Sequence, residues 1–241
     1  MNTAPVITEN AWDRITASVK DVFGWSPIEQ LYSLYLLAAT TEHLGGDIVE
    51  VGSWGGRSAI ALGLAAANGT RKVHAIDYFP DWKDWYRNPN GTFSFETTVN
   101  GQPVPGHATQ TVWKEPFENQ IAPFYHEHPQ LKEYFEANVA AAGLQNTVQA
   151  FKGNSLLFAQ TAPKELRASL VYIDAEHSYE AVRDDIERLT PFLLPGGFIC
   201  FDDAFTSYEG VDRAITEHVL HSGLFHSPHQ LTRKLFAAVK R

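Results

Sequence analysis

A chain of 241 residues is long enough for one large domain or two small ones. Its 19 Lys and Arg against 28 Asp and Glu give a formal charge of −9, which argues against a nucleic-acid binder and against docking on anionic lipid. Hydrophobic residues at 44% exclude disorder, and the one cysteine excludes an intramolecular disulfide framework or a Cys-rich zinc site.

The chain opens MNTAPVITENAWDRI, with neither a basic n-region nor an apolar run, so no signal peptide is expected. No apolar stretch approaches the ~18 residues of a membrane span. The expectation is a soluble, cytoplasmic protein. Residues 2–42 read as mostly helical, with Ile28, Leu31, Tyr32 and Tyr35 on one face. We read 1–45 as a helical cap ahead of the first strand, within a single domain spanning 1–241.

Short β-rich apolar runs at 48–51, 73–76, 148–151, 170–173 and 198–201 read as buried strands. The first leads through Gly52-Ser53-Trp54-Gly55-Gly56-Arg57-Ser58 into an Ala- and Leu-rich helix. Glycine at such a turn lets the backbone approach a ligand closely, and the helix start offers unpaired N–H groups to a carboxylate or other anion. The order G-x-x-G-G is neither the dinucleotide fingerprint G-x-G-x-x-G nor a P-loop. The second run ends in Asp77, roughly 20 residues past the turn, the offset of a ribose-binding acid. The unit reads as a nucleoside-cofactor crevice, against the plainer alternative of a joining turn and a loop acid.

Residues 79–131 break the rhythm. They hold Trp82, Trp85, Trp113, His107, His126, His128 and several prolines, with few helical stripes. An irregular insert of ~50 residues is uncommon in a compact domain and points to a lid or binding loop, or else to a structural excursion or an oligomer contact.

The fourth run ends in Asp174-Ala175-Glu176-His177-Ser178, and Ser178 can cap a helix whose apolar face is Tyr179, Val182, Ile186 and Leu189. Glu176 is expected to face solvent, and Asp184 and Asp185 to lie on that helix's solvated face. The fifth run ends in Asp202-Asp203, and Val211, Ala214, Ile215 and Val219 form a further helical stripe. If the fourth and fifth strands are neighbours, Asp174, Asp202 and Asp203 meet at one rim. Three close carboxylates repel and raise one another's pKa unless a cation sits among them. Hard oxygen ligands favour Mg²⁺, Mn²⁺ or Ca²⁺. His177 is near enough to be a general base or a further ligand; the plainer alternative makes these acids helix caps and loop acids. Cys200 reads as core. Strands alternating with helices imply a doubly wound α/β fold with a mainly parallel sheet.

These motifs, E-V-G-S-W-G-G-R-S (50–58), A-I-D (75–77), F-K-G-N-S (151–155), Y-I-D-A-E-H-S-Y (172–179) and L-P-G-G-F-I-C-F-D-D (194–203), resemble a class I S-adenosylmethionine-dependent methyltransferase. The likeness covers about 47–78 and 135–241. Its most specific part resembles the metal-dependent macrocin and mycinamicin sugar O-methyltransferases, with cephalosporin hydroxylase as a relative.

The resemblance implies a Rossmann-like sheet with one antiparallel strand, about 234–239, near the C-terminus. It implies S-adenosylmethionine held by Glu50, Gly52, Ser53, Trp54, Gly56 and Ser58 at its methionine side, Asp77 at the ribose, and Asn154 and Ser155 at the adenine, with Asp174 alongside. Asp174, Asp202 and Asp203 would bind Mg²⁺ (or Mn²⁺ or Ca²⁺), and His177 would be the catalytic base. The acceptor would be a hydroxyl of a small molecule: a sugar, natural product or catechol-like ring. The segment after Asp77 departs from the family's pattern, which leaves the acceptor open. A homodimer is a further possibility. The alternatives are a cephalosporin hydroxylase-like oxygenase, a non-catalytic S-adenosylmethionine-binding module, and a methyltransferase that uses no metal.

Overall fold

The computed structural model describes residues 11–108 and 111–241. The first ten residues of the expected cap lie outside these. Two helices come first, α1 (Ala11–Val19) and α2 (Ile28–Thr40), ahead of β1 (Asp47–Val51). Then follow α3 (Arg57–Ala66) and β2 (Val73–Asp77), and the insert carries β3 (Trp85–Arg87), β4 (Phe93–Val99) and β5 (Gln102–Gly106). Helical segments α4 (Lys114–Pro116), α5 (Ala122–Glu127) and α6 (Leu131–Ala141) return the chain to β6 (Val148–Lys152). The remainder runs α7 (Ser155–Thr161), β7 (Ala168–Ile173), α8 (Tyr179–Leu189), β8 (Leu193–Phe201), α9 (Glu209–Ile215), β9 (Phe225–Gln230) and β10 (Phe236–Lys240).

The main sheet has seven strands in the order β6-β2-β1-β7-β8-β10-β9. All pairs from β6 to β8 are parallel, and β10 pairs antiparallel with both β8 and β9. β10 therefore runs against the other six, the single reversal expected. β9, an edge strand, was not among the expected strands, because its sequence FHSPHQ lacks an apolar run and only Phe225 is buried. Alternate residues of the central strands enter two separate cores. Ile48, Leu170, Tyr172 and Cys200 face the core shared with α1, α2, α3 and α6, while Val49, Val171, Ile173 and Ile199 face the core shared with α8 and α9. Burial on both faces is why these strands read as continuous apolar runs rather than alternating ones.

β1 pairs with β2 on one side and β7 on the other, so the chain's crossovers part at its carboxyl end. In open α/β sheets that parting leaves the ligand crevice.

The insert is more regular than its composition suggested. β3, β4 and β5 form an antiparallel sheet of their own, closed between β4 and β5 by Asn100-Gly101 at φ 50° and 76°. Asn-Gly between strands is a strong hairpin signal, since both residues tolerate positive φ. Rings then hold the insert together: Phe93 stacks on Phe117 at 3.7 Å between centroids, and Trp85 lies 5.1 Å from Phe117. Tyr125, buried, joins this cluster to Trp54 of the main domain at 5.8 Å.

Candidate active site

The carboxyl ends of the central strands open on a cavity of about 570 Å³, within the usual range for a small-molecule site. Gly52, Ser53, Trp54, Ser58, Asp77, Asn154, Ser155, Asp174, His177, Asp202 and Asp203 all line it. Glu50 and Gly56 do not. Gly56 instead starts α3 at φ 97°, and Glu50 lies beneath the turn.

Gly52 is demanded by close approach. At φ 89°, a Cβ there would stand 1.8 Å from the carbonyl oxygen of Asp174. That contact draws the tips of β1 and β7 together, reinforced by Asp174 N–H donating to Val51 O at 2.8 Å. Trp54 adopts φ 44°, strained for a bulky residue. Its N–H donates to Asp77 Oδ2 at 2.9 Å, and Phe79 N–H donates to Asp77 Oδ1 at 2.6 Å. Asp77 thus holds the glycine turn against the end of β2. Burial pushes its pKa up, against these hydrogen bonds.

Glu50 is fully buried, and Ser53 Oγ donates to its Oε2 at 2.6 Å. Burial pushes Glu50 up to about 7 despite hydrogen bonds from Ser53 and Ser58. Its role in the turn is from below, through Ser53.

At the far end, Asn154 caps α7 by accepting from Leu157 N–H at 2.9 Å, and donates to Tyr78 Oη at 3.0 Å. Ser155 donates to Asp185 and accepts from Arg188 Nη1 at 3.3 Å. Asp185 is 7% exposed, so its expected place on a solvated face is wrong. It shares the stripe of Val182, Ile186 and Leu189, and burial pushes its pKa up to about 6. Asp184 is half-buried, paired with Arg183 and Arg188. Glu176 is half-buried and lines the cavity rather than standing in open solvent.

The β7 and β8 strands are neighbours, and their tips bring the three acids together. Tyr172 Oη donates to Asp174 Oδ2 at 3.0 Å. Gln30 Nε2 donates to Asp202 Oδ1 at 2.8 Å and to Tyr172 Oη at 3.0 Å. Lys234 Nζ lies 2.7 Å from Asp202 Oδ2 and 3.5 Å from Asp203 Oδ1. His177 Nε2 lies 3.1 Å from Asp203 Oδ2, and its ring stacks on Tyr208 at 4.1 Å. Asp203 sits at φ 50°, a strained turn just past the strand.

Burial, and then the charge of Asp202, hold Asp174 well above the usual carboxylate range. Asp203 goes the other way: burial opposes it, but the His177 hydrogen bond and the Lys234 charge keep it low. Asp174, His177 and Asp203 present ligand atoms within 4.8 Å of one another, so the residues fit a single divalent cation.

Four contributors were missed. Tyr208 carries no sequence signal. Gln30 does: it is a polar side chain beside Leu31 and Leu34 on the buried face of α2. Lys234 and Tyr172 owe their roles to register. Phe236 pairs with Phe201 across β10 and β8, and Ala204 N–H donates to Lys234 O at 2.9 Å, which carries Lys234 to the acids.

The sheet order, the glycine turn and the acid at the end of β2 define a class I methyltransferase. Residues 49–204 match the family model described as "Methyltransferase domain", and the chain belongs to that family. No curated protein matches the sequence. Solved structures share the fold. The O-methyltransferase NovP aligns at TM-score 0.63 and 17% identity, over 88% of this chain and 80% of its own. The O-methyltransferase of Bacillus cereus, in complex with SAH, aligns at 0.56 and 14% identity, over 98% and 93%. TomG from Streptomyces achromogenes, an O-methyltransferase of tomaymycin synthesis in complex with SAM, aligns at 0.54 and 15% identity, over 97% and 91%. Among the described residues no helix is long and apolar enough to cross a membrane.

Proposed function

We propose that the protein transfers the methyl group of S-adenosylmethionine to a hydroxyl oxygen of a small-molecule acceptor, with a divalent cation assisting and His177 as the base. The observation that carries this reading is one of position. His177, paired with Asp203 and backed by Tyr208, faces the same cavity as the Gly52 turn and Asp77.

The Gly52–Ser58 turn and the start of α3 receive the methionine end, Asp77 the ribose hydroxyls, and Asn154 with Ser155 the adenine. Asp174 and Asp203, with Asp202 beside them, would hold the cation, Mg²⁺, Mn²⁺ or Ca²⁺, at the tips of β7 and β8. A bound cation lowers the pKa of a hydroxyl and fixes its orientation. The His177 imidazole takes the hydroxyl proton as the oxygen–carbon bond forms and the carbon–sulfur bond breaks, leaving S-adenosylhomocysteine. Asp203 steadies the imidazolium produced, which is the role its lowered pKa suits. Trp85, Phe95 and Trp113 from the insert line the same cavity, where they exclude water and offer ring faces to the acceptor.

An oxygenase built on non-haem iron prefers two histidines and a carboxylate. Among the described residues, the cluster that fits a metal contains one histidine, which favours methyl transfer.

Titration calorimetry with S-adenosylmethionine, followed by a screen of glycosides, phenols and polyketide sugars with labelled cofactor, tests the reading. Binding together with transfer of label to an acceptor oxygen is expected. Absence of cofactor binding overturns it, and binding without transfer to any hydroxyl points to the non-catalytic module.

A further inference from the structure

The acid cluster already contains a cation. Both oxygens of Asp202 are engaged, Oδ1 by Gln30 at 2.8 Å and Oδ2 by Lys234 at 2.7 Å. The side chains of Lys234 and Asp202 are 13% and 3% exposed, so water competes little for either. The ammonium does not arrive there by chance of a flexible side chain. Lys234 O accepts from Ala204 N–H at 2.9 Å, and Thr232 Oγ1 accepts from Leu235 N–H at 3.1 Å, so the turn into β10 is tied on both sides of it.

We infer that Lys234 is a tethered ammonium that withholds Asp202 from a divalent cation, so that Asp174 and Asp203 are the carboxylates left to hold one, with His177 beside them as the base. Charge supports the division. Asp202 and Lys234 cancel as a pair, and the two remaining carboxylates match one doubly charged ion. Geometry agrees, since among the described residues the group of ligand atoms within 4.8 Å of one another includes Asp174 and Asp203 and leaves out Asp202. Lys234 also reaches Asp203 Oδ1 at 3.5 Å, while His177 engages the other oxygen, so it is a standing competitor for the second acid as well. Lys234 is in this sense a positioning residue: it sets how many carboxylates a cation can claim. The inference rests on the preceding reading only in supposing that a divalent cation is used at all.

The test reads metal binding directly and needs no turnover. Mn²⁺ binding to the EDTA-stripped full chain is measured by electron paramagnetic resonance of free Mn²⁺ and by calorimetry. Lys234→Met should tighten Mn²⁺ binding by about tenfold or more, because a competing charge leaves and Asp202 is released. Lys234→Arg, which keeps the charge, should stay within about threefold of the parent. The double variant Asp202→Asn with Lys234→Met replaces the pair as a unit, which buried pairs tolerate better than loss of one partner. It should bind Mn²⁺ at least as tightly as the parent, and it carries the test if the single variant does not fold. Unchanged or weaker binding by Lys234→Met, or a loss of about tenfold or more in the double variant, overturns the inference in favour of a three-carboxylate cradle. Absence of Mn²⁺ binding in all these proteins overturns it too, while leaving methyl transfer to be judged by the labelled-cofactor screen.

Discussion

The acid rim of β7 and β8 and the aromatic insert of 79–131 face the same cavity by different physics. At the rim, polar groups are placed by backbone. Asp174 and Asp202 follow directly on strand ends, strand register brings Lys234 to them, and Gly52 leaves no room for a side chain between β1 and β7. In the insert, placement comes from rings packing on rings, Phe93 on Phe117 and Trp85 on Phe95. A slip of one residue in a strand would turn every rim side chain to the other face. A change of ring in the insert is expected to reshape one wall of the cavity and leave the rim residues where they are. Under the proposed function, the contrast assigns catalytic constraint to the rim and acceptor choice to the insert, two things that separate variants can test.

The sharpest way to break that contrast is at the rim. His177→Ala is expected to lower turnover about 10²–10⁴-fold, the usual worth of a general base, while S-adenosylmethionine affinity stays nearly unchanged by calorimetry. A variant that turns over normally removes His177 from the mechanism. Gly52→Ala is expected to lose about 4 kcal/mol of stability or more, since left-handed strain adds to a clash with backbone. Thermal melting should show it, together with loss of cofactor binding; a near-native melting temperature would mean that the β1–β7 junction is looser than described.

In the insert, Phe117→Ala should cost about 3 kcal/mol. Hydrogen exchange should locate that loss in β3–β5 and the 114–127 helices, with the main sheet protected as before. Spread of the loss into β1 and β7 would join the two regions into one cooperative unit.

Glu50 offers a measure of intermediate size through pH. Its folded pKa is raised to about 7, so the fold has its full stability below the ordinary carboxylate pKa and loses some as pH rises through about 7. Glu50→Gln cannot ionise. Its stability relative to the parent should therefore rise between about pH 4.5 and 8, by roughly 3.5 kcal/mol, since each tenfold difference in proton affinity between folded and unfolded chain is worth about 1.4 kcal/mol. A pH-independent difference in denaturant midpoints would remove Glu50 as the source. The smallest stability effect belongs to Trp113, 74% exposed. Trp113→Ala should change stability by less than about 0.5 kcal/mol, yet raise the acceptor KM while sparing that of the cofactor. Equal effects on both would take Trp113 out of acceptor binding.

The strands and the acid tips were legible because a buried parallel strand is an apolar run with a polar end, and that pattern is local. The helix of Tyr179 to Leu189 was legible for the same reason, down to Ser178 as its cap. The insert's hairpin carries one local signal, Asn100-Gly101, but the strands on either side of it lack an apolar run, so the segment reads as irregular. Asp185 misled, because a charged residue on an amphipathic helix reads as solvated unless its partner, here Ser155 of a different helix, is known.

By itself the sequence determined which segments become strands, where the glycine turn falls, and which acids sit at strand ends, since each follows from neighbours a few residues apart. Only the tertiary structure decided that Gln30, Tyr172 and Lys234 join those acids. Gln30 and Asp202 are 172 residues apart in the chain, and Lys234 reaches Asp202 through a strand that runs against its neighbours. Contacts of that kind are set by strand order and register, which depend on the whole core closing at once and leave no pattern in any short stretch of sequence.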